Sequence, residues 1–325
     1  MLNYNEPLRF LPRPARDHCL NCGHKRVPYT TVCAYCDQQF PSASQGEAHR
    51  LSEHPEGYTR IAHLTDLHVH NPGQERQGPS RFYQLAQWFE AVAEHGVDGV
   101  VISGDLIETP GDEKTLELVQ RRIDKFGLNY CVVPGNHDLT LDPKYDPFYG
   151  IFGAYPRVEA IGQVDFILFD SLAGLPVENR SLMEAILQRF PVVDCWTEGT
   201  IGEAQFQNLS KLLDDSDASS RVAVVHHHIH SQPPDPLIGR LVTNATAGTM
   251  KPLFDGHKIV SWARKNGVNT VLHGHKHGFM QPGYTEGVLV MNGGSSTQHP
   301  RRNQARIIDF GPGGEKVVHQ VELKT

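Results

Sequence analysis

The chain has 325 residues, enough for one large domain with something small beside it. An apolar share of 39% and a charged share of 21% are those of an ordinary soluble globular protein, and no window approaches the roughly 18 uninterrupted apolar residues that a membrane helix needs. A formal net charge of -7 argues against general polyanion binding, which is built on phosphate neutralisation by Lys and Arg, and favours a small substrate.

Residues 1 to 12 read as a polar, proline-broken tail with nothing to bury. Glu6, Arg9, Arg13, Arg16 and Asp17 stand where a secretory signal would need an apolar segment, so a cytoplasmic protein is expected. Cys19-Leu20-Asn21-Cys22 and Cys33-Ala34-Tyr35-Cys36 then present two C-x-x-C pairs. Two such knuckles can bring four thiolates into the tetrahedral arrangement that Zn²⁺ prefers, and so small a segment could not fold on apolar burial alone. Residues 1 to 40 therefore resemble a small zinc ribbon holding one structural zinc. Two disulfides are the alternative that a cytoplasmic chain disfavours, and redox-active thiols would want a βαβ context that is missing here. Residues 41 to 57 are rich in small and turn-forming residues and read as a linker, in which His49 and His54 are solvated. The solitary Cys131 and Cys195 read as small buried hydrophobes.

From Tyr58 to the C-terminus the pattern is that of one domain. Ile61 to Thr65 forms a strand leading into Asp66-Leu67-His68-Val69-His70, and in an extended chain Asp66 and His68 project to one side and could reach one ion. Residues 81 to 95 form an amphipathic helix with Phe82, Leu85, Ala86, Phe89 and Val92 on one face. The strand Val97 to Ile102 ends in Ser103-Gly104-Asp105. A helix over 114 to 126 precedes a strand at Tyr130, which runs through Pro134-Gly135 into Asn136-His137-Asp138. This order predicts a layered α/β domain whose parallel strands deliver their C-terminal ends to one edge, where open sheets of this kind keep their chemistry. A further strand over 164 to 170 and a helix over 203 to 213 lead to Arg221 to Val225, which runs into His226-His227-His228-Ile229-His230. After a helix near 256 to 266, Thr270 to Leu272 ends in His273-Gly274-His275-Lys276-His277. Runs at 286 to 291, 305 to 310 and 316 to 323 look like strands of a second, more antiparallel sheet.

Five strand ends thus carry D-x-H, G-D, G-N-H-D, a histidine run and G-H-x-H, in that order. The order resembles the calcineurin-like metallophosphoesterase superfamily over about Tyr58 to the C-terminus. The resemblance implies a four-layer α/β/β/α sandwich and two divalent ions, Mn, Fe, Zn or Co, about 3.5 to 4 Å apart. Motif by motif it would place Asp66, His68 and His277 on the first ion, Asn136, His226 and His275 on the second, and Asp105 on both. His137 matches the family's histidine that faces the substrate from beside the metals, with Asp138 or Glu108 to orient it; Asp138 could equally cap the following turn. His226 is taken as the ligand because it lies at the strand's end, although strand alternation permits His228. His70, His230 and His273 are extra, and either orient ligands or pack beside the cleft.

The superfamily's protein phosphatases carry an Asp-Arg pair shortly after G-D, and this chain has Leu106-Ile107-Glu108-Thr109 instead. The resemblance therefore leans to the cyclic-nucleotide and glycerophosphodiester phosphodiesterase branch and a small phosphodiester, with Arg301, Arg302 and Arg306 as charges available to it. Alternatives are a phosphomonoesterase, a nuclease whose zinc ribbon contacts nucleic acid, and a non-catalytic metal-binding scaffold. Against the nuclease stands the acidic body, and against the scaffold stands the intact set of ligand residue types.

Overall fold

The computed structural model describes residues 2–4, 8–10, 51, 56–70, 81–139, 146–173, 199–213, 218–229, 255–277, 281–297 and 303–323. The cysteine quartet at 19 to 36, His49, His54, Cys195, His230, Arg301 and Arg302 lie outside them.

Two sheets form the middle of the molecule. The first contains β1 (Leu2–Tyr4), β2 (Leu8–Phe10), β3 (Thr59–Leu64), β4 (Gly99–Ile102), β5 (Asn129–Val132), β12 (Asn303–Phe310) and β13 (Lys316–Leu323), in the order β1-β13-β12-β3-β4-β5 with β2 also on β13. The second contains β6 (Arg157–Ile161), β7 (Val164–Leu168), β8 (Ser220–Val225), β9 (Thr270–His273), β10 (Gly283–Thr285) and β11 (Val288–Asn292), in the order β10-β11-β9-β8-β7-β6. Helices α1 (Arg81–Ala93), α2 (Glu113–Asp124) and α3 (Pro147–Phe152) accompany the first sheet, and α4 (Glu203–Leu212) and α5 (Gly256–Lys265) the second.

The layering follows from which residues alternate. Ala62, Leu64, Val100 and Ile102 point to one side, against Leu85, Trp88 and Phe89 of α1 and Leu116, Val119 and Ile123 of α2. The intervening Ile61 and Val101 point to the other side and meet Phe166, Leu168, Val222, Val224 and Leu272 of the second sheet. Ala223, Val225 and Val271 face outward again, onto Phe206 and Leu209 of α4 and Ile259, Val260 and Trp262 of α5. The result is the expected helix, sheet, sheet, helix stack. Strands apolar on both faces are what a parallel core between two covers requires. α2 starts where Asp112 accepts a hydrogen bond from Thr115 N, and its apolar positions recur every three or four residues. Among the described residues no helix is long and apolar enough to cross a membrane.

Two sequence expectations are corrected. The late strands do not make a sheet of their own: β11 runs parallel to β9 in the second sheet, whereas β12 and β13 extend the first, with β12 antiparallel to β3. Periodicity reports which faces are buried but not which neighbour is paired. Residues read as a free tail supply β1 and β2, which pair antiparallel with β13 over Leu2↔Leu323 and Lys316↔Phe10.

Candidate metal centre

β3, β4 and β5 are mutually parallel, as are β7, β8, β9 and β11, and the two sets bring their C-terminal ends to one edge. The loops beyond the strands stay in register. Asp66 N donates to Gly104 O at 3.0 Å and His68 N to Asp105 O at 2.9 Å, which ties the loops after β3 and β4 together. The second sheet locks onto them: Gly274 N donates to His226 O at 2.9 Å and His275 N to the Asp66 carboxylate at 3.1 Å. Two glycines permit this approach. A Cβ at Gly135 would run into the Asp105 carboxylate and backbone, and one at Gly274 would run into Thr65 Oγ1 and Asp66 Oδ2.

All seven residues taken from the sequence converge here. His277 Nε2 lies 3.2 Å from Asp66 Oδ1 and 3.3 Å from His68 Nε2, and His68 Nε2 lies 3.4 Å from Asp105 Oδ2. On the other side of Asp105, His226 Nε2 is 3.3 Å from the same Oδ2, and Asn136 Oδ1 stands 3.0 Å from both His226 Nε2 and His275 Nδ1. One carboxylate oxygen thus belongs to two clusters. Asp66, His68, Asp105, His226 and His275 are essentially buried, and His277 is the most open of the set.

The residues fit divalent cations. Bonds of about 2.0–2.2 Å meeting at 90–109° put adjacent ligand atoms about 2.8–3.6 Å apart, a range that includes these contacts. Ring nitrogens face ring nitrogens, His68 to His277 at 3.3 Å and His226 to His275 at 3.2 Å, an arrangement that two N–H donors cannot share. Asp66 Oδ1 is buried without a well-formed hydrogen bond. His226 Nδ1 sits 2.8 Å from Ser103 O, so it carries the proton there and turns Nε2 inward, the tautomer that ligation needs. Four of these side chains hang from left-handed backbone, Asp66 (φ 52), His68 (φ 43), Asp105 (φ 54) and His275 (φ 66); the one other described non-glycine with positive φ is Glu286. Backbone strain concentrated on converging polar groups is a mark of a functional site.

The calcineurin-like phosphoesterase profile matches residues 59–279, from the start of β3 to just beyond His277. The chain belongs to the calcineurin-like phosphoesterase family. It is accordingly a hydrolase of phosphoester bonds. No curated protein sequence matches it. Among solved structures, a dimetal phosphatase from Danio rerio is 16% identical with a TM-score of 0.53, covering 80% of this chain and 98% of that one, a likeness of fold. The purple acid phosphatase PPD1 of yellow lupin (12% identity, TM-score 0.48) covers 81% of this chain and 51% of that one. TT1561 of Thermus thermophilus (11% identity, TM-score 0.48) covers 80% and 98%.

In this phosphoesterase, charge and burial compete at every ligand. Burial opposes ionisation of Asp66, but His277 and His68 overcome it and hold the carboxyl below its usual range. Asp105 is likewise held well below, with burial outweighed by His226 and His68. Burial would lower His68, but Asp66 and Glu108 raise it to about 10; Asp105 raises His226 to about 9 against the same penalty. His275 goes well below, through burial and then its neighbours His227 and His226. A proton and a cation therefore compete for the same nitrogens.

His137 lies beside this cluster, its ring centroid 4.7 Å from that of His68. Its Nδ1 is 2.9 Å from the carbonyl oxygen of Glu108, and its backbone N donates to Asp105 Oδ1. The carboxylate expected to orient it does something else in each case. Asp138, fully buried, accepts from Leu106 N, Ile107 N and Gly135 N, tying the turn after β5 to the loop after β4. The Glu108 carboxylate lies 3.0 Å from His68 Nδ1 and 2.8 Å from Arg81.

Among the three histidines after β8, His226 reaches the cluster; His227 faces Ser171 Oγ at 2.7 Å, and His228 stacks on His275. His273 is buried with Nδ1 3.2 Å from Gly274 O, and His70 is half-buried beside the Val69–Ile107 bridge. Arg306, expected as a charge for substrate, is instead buried in β12 with Nε on Asn292 O. Cys131 is buried as expected. Three supporting residues went unread in the sequence. Thr65 Oγ1 donates to Asp66 Oδ2 at 2.7 Å; Ser103 lends its carbonyl to His226; and Asn292 Nδ2 donates to Gly274 O and Lys276 O, bracing the G-H-x-H loop. The Asn292-Gly293-Gly294-Ser295 turn after a strand is the one signal that could have flagged any of them.

Proposed function

We propose that the protein is a two-metal phosphodiesterase acting on a small phosphodiester such as a cyclic nucleotide. The observation that carries the two-metal reading is the single Asp105 oxygen shared by an Asp66/His68/His277 cluster and an Asn136/His226/His275 cluster. Asp66, His68, His277 and Asp105 would hold one cation, and Asp105, Asn136, His226 and His275 the other. Bound there, two divalent ions supply Lewis acidity towards phosphoryl oxygens, acidify water and neutralise charge on the leaving oxygen. The chain's own part is positional. Asp105 keeps the two clusters together, Ser103 O keeps the Nε2 lone pair of His226 inward, and Glu108 O occupies His137 Nδ1, leaving Nε2 as the nitrogen that would hold or deliver a proton at the leaving oxygen. The small diester is favoured by the acidic balance of the chain and by the absence of an Asp-Arg pair after Asp105. We also keep Cys19, Cys22, Cys33 and Cys36 as one structural zinc site.

A panel of cyclic nucleotides, glycerophosphodiesters, phosphomonoesters and single-stranded DNA, assayed with Mn²⁺, Fe²⁺, Zn²⁺ and Co²⁺, tests the substrate. Turnover of diesters that is lost in Asp105→Ala supports the reading. A preference for monoesters or DNA replaces the substrate, and equal rates in the variant reject the mechanism. Metal analysis of the purified chain should find one zinc that is lost in Cys19→Ser.

A further inference from the structure

We infer that Glu108 is a positioning residue that serves two histidines at once, the metal-side His68 through its carboxylate and His137 through its main-chain carbonyl. This rests on the two-metal reading above and adds a division of labour to it. His68 Nδ1 is 3.0 Å from Glu108 Oε2, a charge contact out of line for a well-formed hydrogen bond, which sets a carboxylate against the outer edge of the ring while Nε2 faces Asp66, Asp105 and His277. A carboxylate behind a ligating imidazole fixes its tautomer and its rotation. His137 Nδ1, at 2.9 Å from Glu108 O, is fixed in the same sense by an atom that no side-chain substitution removes.

Arg81 makes the carboxylate a rigid prop. Its Nη1 donates to Glu108 Oε2 at 2.8 Å and to the His68 carbonyl at 2.9 Å, closing a ring through residues from α1 and from the loops after β3 and β4. The backbone completes it, since Glu108 N donates to Val69 O and His68 N to Asp105 O. Acidity three residues after the shared aspartate thus supports a cation ligand, whereas His137 depends on the path of the chain.

The two roles separate experimentally. Full-length wild type, Glu108→Ala and Glu108→Gln are stripped of metal and titrated with Mn²⁺ against a fluorescent chelator, and hydrolysis is then followed as a function of Mn²⁺. Glu108→Ala should bind one of two ions about 10- to 100-fold more weakly, the range seen when a partner behind a ligand is lost. Glu108→Gln, whose amide oxygen can still face Nδ1, should recover most of that loss. Because His137 keeps its carbonyl anchor, raising Mn²⁺ should recover part of the turnover lost in Glu108→Ala, while no Mn²⁺ concentration should recover any in His137→Ala. Wild-type affinity in Glu108→Ala overturns the proposal. So does an equal loss of both ions with a lowered thermal midpoint and no recovery in Glu108→Gln, which would mark a folding role. A chain that hydrolyses none of the panel yet loses one ion selectively in Glu108→Ala would reject the substrate and keep this inference.

Discussion

β3 carries a buried charged network at each end, and the two are built on opposite plans. Near its start the Arg60 guanidinium grips Asp309 with Nε on Oδ1 at 2.5 Å and Nη2 on Oδ2 at 2.9 Å, and His319 Nε2 adds a contact to Oδ2 at 3.3 Å. Each Asp309 oxygen meets a donor, and the network is closed. Just beyond its other end, Asp66 and Asp105 sit among imidazoles whose nitrogens face one another. That network has more lone pairs than protons to satisfy them, and it is open. Burial of charge alone does not distinguish a structural pair from a site. What distinguishes them is whether donors and acceptors cancel.

The sharpest test removes the oxygen shared by the open network. Asp105→Asn should lower hydrolysis on the order of 10³-fold and abolish paired cation binding. A variant that still hydrolyses at the wild-type rate would end the comparison. Asp309→Asn should do the reverse. It leaves the Arg60 charge buried without its partner and should cost about 3–5 kcal/mol in urea unfolding, with turnover per folded molecule unchanged. Burial raises the Asp309 carboxyl, but Arg60 and His319 outweigh it and hold it below its usual range. The stabilisation is therefore present above the unfolded value near 4 and fades as pH falls through the folded one, so the variant and wild-type curves should converge in acid.

The open network should also be the one that exchanges protons for cations. With His68 raised to about 10 and His226 to about 9, both rings are protonated at neutral pH until a cation displaces the protons. Mn²⁺ affinity should then fall about tenfold for each proton released with every pH unit of acidification below those values. Calorimetry in two buffers of different ionisation enthalpy counts those protons directly. Equal heats in both would show that the imidazoles bind neutral and would remove the competition inferred here.

How much of this was legible depended on whether the deciding contact was local. Asp66, His68, Asp105, Asn136, His137, His275 and His277 could be placed at one edge because they follow four apolar strands, β3, β4, β5 and β9, whose ends arrive together. The choice of His226 over His228 could not be read from alternation, which puts both on one side. The carbonyl of Ser103, 123 residues away, distinguishes them. Arg306 misled for a similar reason: its charge suggested an exposed side chain, but its register opposite His63 in the interior of the sheet places it in the core. Glu108 was legible as a carboxylate near the site, but not which of its atoms would serve which histidine. β1 and β2 are three residues each, too short for any periodicity to register.

The smallest predicted effect concerns His63, which lies on β3 between the two networks. Its Nε2 meets Ser103 Oγ at 2.9 Å, and burial, then Arg306 and His273, push its pKa down to about 3. A base lowered on folding stays neutral in the native state, while the unfolded chain takes up a proton below about 6.5. Stability is therefore lost as pH falls through that value, and between pH 7 and pH 5 one such histidine accounts for about 2 kcal/mol. The raised His68 and His226 act in the opposite sense at higher pH, and bound cations would add a further slope. The comparison is therefore made on metal-free protein, as the difference between wild type and His63→Gln, in which those terms are common to both curves. The variant should lose about 2 kcal/mol less than wild type between pH 7 and pH 5. Parallel curves would mean that His63 takes up its proton in the folded state, and that the interior of the first sheet admits charge where the buried Arg306 already stands.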